Sequence, residues 1–410
     1  MMHPPTVSIT HNENEANGYM TTIHLFNGTQ KRNAEGHPWI YRNQIERIDG
    51  LAEDGEAADV LDSRGRYIGT GLYNSKSMIT VRLISRRHEI VDEQLIVRRV
   101  QEAIEYRRHF SHPDTDCRRL IFGEADRLPG VIADQFGSVV ILQNLSLGME
   151  RFLPIIAETI ITAVRPETLI LKNDDAIREK EGLPLETRLY CGNEAEETLI
   201  REHGIKLYVD LRSGQKTGYF LDQKANHAFI AKFARGLRVL DCFTYIGGFA
   251  LHAARAAASS VTAVDSSQPA LNLAAKNAQA NELAGIDWVA ANAFDFLREA
   301  VRAEKQYDLI VLDPPAFAKS HSALAAATRG YKEINLSALR LLPVGGILAT
   351  HSCSFHMREN LFLDTVLAAA RDAKKTVRII ALRRQDYDHP VLAGYPESHY
   401  LKSLWVQVVE

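Results

Sequence analysis

Apolar and polar positions change their rhythm twice along this chain of 410 residues. From Thr21 to about Arg87 the apolar runs are short and broken by turn residues. Asp62-Ser63-Arg64-Gly65 separates an apolar run at 58–61 from another at 67–73, and Ile79-Thr80-Val81-Arg82-Leu83 alternates with the period of two that a half-buried strand shows. A small β-barrel is predicted. Between Ile90 and Phe110 the rhythm becomes helical, with Ile96, Val100 and Ile104 four residues apart, which puts them on one helix face. Strand-like runs at 130–134 and 138–143, a helix near 149–164 and a strand at 168–172 complete a compact α+β unit.

From about Arg238 apolar strands and amphipathic stretches alternate. Strands are read at 238–242, 260–265, 287–291, 308–312, 347–351 and 377–381, and a helix at 269–281 has Pro269 at its first position. Such alternation predicts an α/β domain built on a doubly wound parallel sheet. A chain of this length needs more than one core. The boundaries expected are a disordered leader over 1–20, a β-barrel domain over 21–88, the α+β middle domain over 89–195 and the α/β domain over 196–410; Met20 is an alternative start.

A net charge of −3 means that any nucleic-acid contact must come from local patches. Cys117, Cys191, Cys242 and Cys353 are scattered without Cys-x-x-Cys spacing, so neither a disulfide framework nor a metal site is expected. No apolar run approaches the length of a membrane span, and a cytoplasmic protein is expected.

The chemistry-bearing residues gather at strand ends, where open α/β sheets bind ligands. The first strand runs into Asp241-Cys242-Phe243-Thr244-Tyr245-Ile246-Gly247-Gly248-Phe249, and the second ends in Asp265 and Ser266, with Asp265 eighteen residues past Gly247. A carboxylate there can accept from both ribose hydroxyls of a nucleoside. The loop is not G-x-G-x-x-G, and Asp241 would repel a pyrophosphate but suits a cationic, amino-acid-bearing cofactor, S-adenosylmethionine. Asn292, followed by Ala293, can accept from an adenine amino group. The candidate cofactor contacts are therefore Tyr219, Asp241, Phe243, Tyr245, Gly247, Gly248, Asp265, Ser266, Asn292, Ala293 and Asp313. The run Gly214-Gln215-Lys216-Thr217 lacks phosphate-loop spacing and is read as bordering the same pocket.

The fourth strand ends in Asp313-Pro314-Pro315-Ala316-Phe317 and the fifth in His351-Ser352-Cys353-Ser354. Pyrimidine carbon 5 is a poor nucleophile, and a thiolate added at carbon 6 activates it. Cys353 and Asp313 are the candidate catalytic pair; Cys242, inside a strand, is read as packing, and His351 as a structural residue or an assisting base. Methylation of an exocyclic amine or ring nitrogen, a non-catalytic RNA-binding assembly factor and a nicotinamide dehydrogenase remain as alternatives.

These residues resemble the RlmI-type ribosomal RNA large-subunit methyltransferases. The marks are His37-Pro38-Trp39-Ile40, Gly123-Glu124-Ala125-Asp126-Arg127-Leu128-Pro129-Gly130, the stretches 214–222, 241–249, 313–317 and 329–335, Ser352-Cys353-Ser354, His389-Pro390 and Tyr395-Pro396-Glu397. The resemblance implies an N-terminal PUA β-barrel, a small α+β middle domain and a class I Rossmann-like methyltransferase sheet using S-adenosylmethionine. It further implies cytosine carbon-5 methylation of 23S ribosomal RNA with Cys353 as nucleophile, and a homodimer. Asn292 departs from the aspartate common there. With a PUA domain, Lys31, Arg32, His37 and Arg42 become a candidate RNA-binding edge, and Arg329 and Lys332 candidate phosphate contacts. The middle domain is read either as a dimerising spacer or as an RNA contact.

Overall fold

The computed structural model describes residues 8–10, 21–212, 217–318 and 320–410; Gly214, Gln215 and Lys216 lie outside them. In the N-terminal unit, strands Thr21–Leu25, Ala57–Leu61, Tyr67–Tyr73 and Ile79–Ser85 form one ladder, edged by Ile45–Asp49 on one side and Trp39–Tyr41 on the other. Alternation along these strands turns Ile23, Leu25, Val60 and Val81 into a single core, each fully buried. The expected disordered leader needs correction at one point: Ser8–Thr10 is a strand paired in parallel with Ile45–Asp49. The rest of the leader lies outside the described residues.

In the middle unit the helix Glu93–His109 starts where Asp92 accepts a hydrogen bond from the Leu95 N–H at 2.9 Å, the usual way an N-cap satisfies an orphan donor. It and the helix Leu153–Val164 cover a five-stranded sheet, whose order from one edge is Glu186–Cys191, Thr168–Asn173, Val139–Asn144, Val131–Phe136 and Cys117–Phe122.

The third unit contains seven strands: β1 Arg238–Cys242, β2 Ser260–Asp265, β3 Ile286–Ala290, β4 Leu309–Leu312, β5 Ile347–Ser352, β6 Val377–Arg383 and β7 Lys402–Val408. Their order across the sheet is β3-β2-β1-β4-β5-β7-β6. Strands β1 to β5 are parallel. Strand β7 is inserted antiparallel between β5 and β6. The sequence pattern predicts six strands here and misses β7, because Lys402 and Ser403 open a strand that is buried almost throughout.

The units share interior. A hairpin of Glu197–Glu202 with Ile205–Asp210 places Ile200, Ile205 and Leu207 in one cluster with Cys117 and Phe136 of the middle sheet and Ile246 and Leu251 of the third unit. The loop between β6 and β7 then reaches back. The Asp388 carboxylate accepts from the Arg119 N–H at 2.9 Å, from Lys224 and from His389 at 2.7 Å. Glu397 takes His37 at 3.0 Å and also Arg32. Lys224 holds its proton well above the usual range, since Asp388 and Asp386 outweigh its burial. Removing one partner from a buried pair leaves the other charge uncompensated and costs about 3–5 kcal/mol. Asp388→Ala is therefore expected to lower the unfolding free energy by that order, read as a lower urea midpoint at unchanged slope; an unchanged midpoint would show that Asp386 alone carries the pair.

Candidate active site

Strand β1 is buried along Val239–Cys242 and delivers the chain into a tight loop. Phe243 and Tyr245 adopt left-handed backbone, φ 65° and 50°, a region that side chains of this size occupy at a cost of order 1–3 kcal/mol each. The surroundings hold them there. Asp241 Oδ2 accepts from Thr244 Oγ1 at 2.6 Å and from the Ala250 N–H at 3.1 Å, and Asp265 Oδ2 accepts from the Tyr245 N–H at 2.9 Å. Gly247, φ 92°, makes the turn into the helix Gly248–Arg255. A Cβ on Gly248 would lie 2.6 Å from the His227 ring, and one on Gly247 would lie 3.1 Å from Trp288. Packing against His227 at Gly248 and the positive φ at Gly247 thus call for glycine on the protein's own account.

Asp241 is fully buried, and among the described residues its Oδ1 has no hydrogen-bond partner. Burial pushes its pKa up to about 7. An unsatisfied buried carboxylate oxygen at the crevice between β1 and β4, where the strand order reverses, fits a cationic group. Asp265, at the end of β2, gives its other oxygen to the Ser267 N–H at 2.9 Å; Ser266 beside it is exposed. Asn292 caps the helix Ala293–Arg302, its Oδ1 accepting from the Phe294 N–H at 2.9 Å. The carbonyl expected to meet adenine therefore already serves the helix terminus. Tyr219 is placed in the shared interior, 3% exposed, with its hydroxyl 3.2 Å from His227 Nδ1.

Strands β4 and β5 are neighbours, with Leu312 opposite Thr350, so Asp313 and Cys353 emerge at the same edge. Gln223 donates to Asp313 Oδ1 at 2.9 Å. Cys353 is half-buried, with Sγ 4.0 Å from the Pro314 carbonyl oxygen. Its two serine neighbours are buried and clamped by Tyr331 of the helix Leu324–Leu341. Ser352 Oγ donates to the Tyr331 hydroxyl at 2.9 Å, and that hydroxyl lies 3.1 Å from Ser354 Oγ. Burial raises the Tyr331 pKa to about 12, so it stays a neutral clamp. His351, fully buried with Nδ1 3.1 Å from the Leu312 carbonyl, has its pKa pushed down to about 3 by burial; it is structural and uncharged. Cys242 is core, with burial lifting its thiol pKa.

Lys402 is the residue that sequence reasoning missed. Register places it directly opposite Ser352. Its ammonium donates to the Ser354 carbonyl at 2.6 Å and the Tyr400 carbonyl at 2.7 Å, two of the three donors an ammonium has. Burial lowers its pKa to about 8, against the opposing pull of Cys353. A cation beside a thiol favours the thiolate.

The candidate RNA residues are dispersed. His37 is fully buried and bonded to Glu397; it joins domains and has no face to offer an RNA, which corrects the expectation. Lys31 and Arg32 are exposed, Arg32 is paired with Glu397, and Arg42 donates to the Ser75 carbonyl. Arg329 is exposed and Lys332 pairs with Asp372 at 2.7 Å, both well inside their helix and not at its start.

Residues 23–86 match the PUA-like domain family and residues 182–378 the S-adenosylmethionine-dependent methyltransferase family. The ribosomal RNA large subunit methyltransferase I of Yersinia pestis is 39% identical over 394 residues, covering 94% of this chain and 98% of that protein. The chain belongs to the ribosomal RNA large subunit methyltransferase I family. A Yersinia pseudotuberculosis member is 38% identical over the same coverage of both chains. Among solved structures, a candidate S-adenosylmethionine-dependent methyltransferase from Streptococcus mutans superposes with a TM-score of 0.81 at 23% identity, over 95% of this chain and all of that one. A methyltransferase complexed with SAH gives 0.82 at the same identity and coverage. The cofactor of this large subunit methyltransferase I family member is S-adenosylmethionine, consistent with the buried acceptor at Asp241.

For this family member, Lys402→Met is expected to remove a cation that favours the Cys353 thiolate and to slow its alkylation by iodoacetamide at neutral pH about tenfold. The two proteins should converge at alkaline pH, where either thiol is ionised. Equal rates at neutral pH would remove Lys402 from thiolate stabilisation.

Proposed function

We propose that the protein methylates carbon 5 of a cytosine in 23S ribosomal RNA through a covalent adduct of Cys353 at carbon 6. The observation that carries this reading is the half-buried thiol, set between two clamped serines and beside a buried lysine, at the edge it shares with Asp313. S-adenosylmethionine supplies an electrophilic methyl group when bound. Asp241, the Phe243–Tyr245 turn, Asp265 and the start of the helix at Ala293 are the groups proposed to hold it. The Cys353 thiolate forms a C–S bond at carbon 6, and the displaced ring electrons make carbon 5 nucleophilic toward that methyl. Asp313, fixed by Gln223, accepts from the cytosine amino group and shares a proton with the ring nitrogen during addition. Water entering the open edge of the site takes the carbon-5 proton, and the electron pair of that C–H bond re-forms the ring double bond as the C–S bond breaks and the thiolate leaves. Lys402 stabilises the thiolate at both ends of the cycle.

Lys31, Arg32, Arg42 and Arg329 stay in the proposal as backbone contacts. A homodimer is also proposed; a groove of about 1230 Å³ between the two middle-domain helices, lined by Ile104, Tyr106 and Phe110, offers it an apolar face. Among the described residues no helix is long and apolar enough to cross a membrane.

Two experiments test the reading. Bisulfite mapping of 23S RNA from cells carrying Cys353→Ala should show the loss of one modified cytosine; full methylation of that cytosine would overturn the covalent route, and a surviving methyl on an amine or ring nitrogen would replace the assigned product. The second concerns pH. A bound cation lowers the Asp241 pKa from about 7, so binding releases a proton and cofactor affinity should rise from pH 6 to pH 8, by up to roughly tenfold per unit below the pKa. Asp241→Asn should flatten this slope in calorimetry; a pH-independent wild type would separate Asp241 from the cofactor.

A further inference from the structure

A cavity of about 540 Å³ lies where the end of the strand Ile79–Ser85, the helix Glu93–His109 and the loop between β6 and β7 meet. Five arginines line it, Arg86, Arg87, Arg98, Arg99 and Arg127, against three glutamates. Each glutamate is already engaged. Glu89 takes Arg98 at 2.6 Å and Ser85 Oγ at 2.6 Å, Glu102 takes Arg127, and Glu124 takes Arg82 and Trp39, each at 2.8 Å.

Arg99 is the exception to this pairing. Its side chain is only 4% exposed, and among the described residues its one ion-pair partner is Glu89, 3.5 Å from Nη2. Among the described residues its Nε and Nη1 have no hydrogen-bond partner. Leaving donors of a buried charge unmade is costly, unless the cavity normally receives an anion. Burial and the like charge of Arg127 also bring the Arg99 pKa down to about 10, a strain that an anion would relieve. Arg86 and Arg87 are exposed at the mouth, so the excess of positive charge runs from solvent inward.

We propose that this cavity binds a phosphate group of the RNA backbone, with Arg99 donating from the inner wall and Arg86, Arg87 and Arg127 around it. The choice of RNA as the source of the phosphate rests on the proposed substrate; the phosphate chemistry does not. The site belongs to the junction of the N-terminal and middle units, so a phosphate held there would set the register of the substrate relative to Cys353 while carrying no sequence information.

The test uses the full chain with a 23S RNA transcript, measuring binding from about 50 to 200 mM salt. Arg99→Gln should weaken binding and reduce the slope of log affinity against log salt by roughly 0.7–0.9, one phosphate contact. Arg87→Gln, an exposed substitution that leaves the interior intact, should reduce the slope in the same direction. In parallel, millimolar inorganic phosphate should raise the thermal midpoint of the wild type and not that of Arg99→Gln. Unchanged slopes in both variants overturn RNA binding here; if phosphate still stabilises only the wild type, the cavity takes a small free anion instead. Equal phosphate responses in wild type and Arg99→Gln overturn the site altogether. A wild type that fails to bind the transcript counts against the proposed substrate, and the phosphate arm still reports on the cavity.

Discussion

The antiparallel seating of β7 between β5 and β6 is the constraint on which the rest of this structure depends. A parallel sheet of β1 to β5 alone would leave β5 as an edge, with the thiol-bearing turn at the end of a strand paired on one side only. Strand β7 closes that edge, brings Lys402 opposite Ser352, and obliges the chain between β6 and β7 to run outside the sheet. That excursion carries Asp388, Gly394 and Glu397 to the other two units. One pairing therefore sets both the electrostatics beside Cys353 and the rigidity of the three-part assembly.

At the opposite side of the crevice the loop after β1 is maintained by two carboxylates, of which only Asp241 Oδ1 is left without a partner among the described residues. Asp241 and Asp265 share the work of keeping Phe243 and Tyr245 in left-handed backbone, through contacts to Thr244, Ala250, Tyr245 and Ser267. A side chain that pins a strained turn cannot move freely to meet a ligand, so the turn is preorganised and any ligand fits to it. From there the rings of Phe243, Phe294, Phe317, Tyr331 and Phe362 follow one another at centroid separations of 6.5, 5.7, 4.7 and 5.5 Å. They link that turn to the tyrosine clamp on Ser352 and Ser354 through continuous packing.

Much of this was legible in the sequence where local pattern and burial agree. The alternation of Thr21–Leu25, the helical spacing of Ile96, Val100 and Ile104, and the apolar runs of β1, β2 and β4 all report their environments directly. The strand-end residues Asp241, Asp265, Asp313 and Cys353 could be read because polar side chains interrupt those runs. The hairpin of Glu197–Glu202 with Ile205–Asp210 carries a local signal of its own. Ile205, Leu207 and Val209 alternate, and His203-Gly204 turns with both φ angles positive, as two-residue hairpin loops require. Lys402 gave none, since a lysine at a strand start reads as solvated until the partner carbonyls of Ser354 and Tyr400 are in place. His37 and Glu397 are 360 residues apart, and no local rule connects them.

The contact of Gly36 with Gly394 has a consequence for how the molecule is made. A Cβ on Gly36 would come within 2.9 Å of the Gly394 Cα, and one on Gly394 within 2.5 Å of Gly36, so backbone meets backbone between segments near the two ends of the chain. The two segments emerge from the ribosome some 358 residues apart. Until the later one arrives, the N-terminal unit has no lock, β5 has no partner on its outer side and the thiol has no cation. The docking event that fixes the domains is therefore the same one that brings the Lys402 ammonium to the turn that carries Cys353.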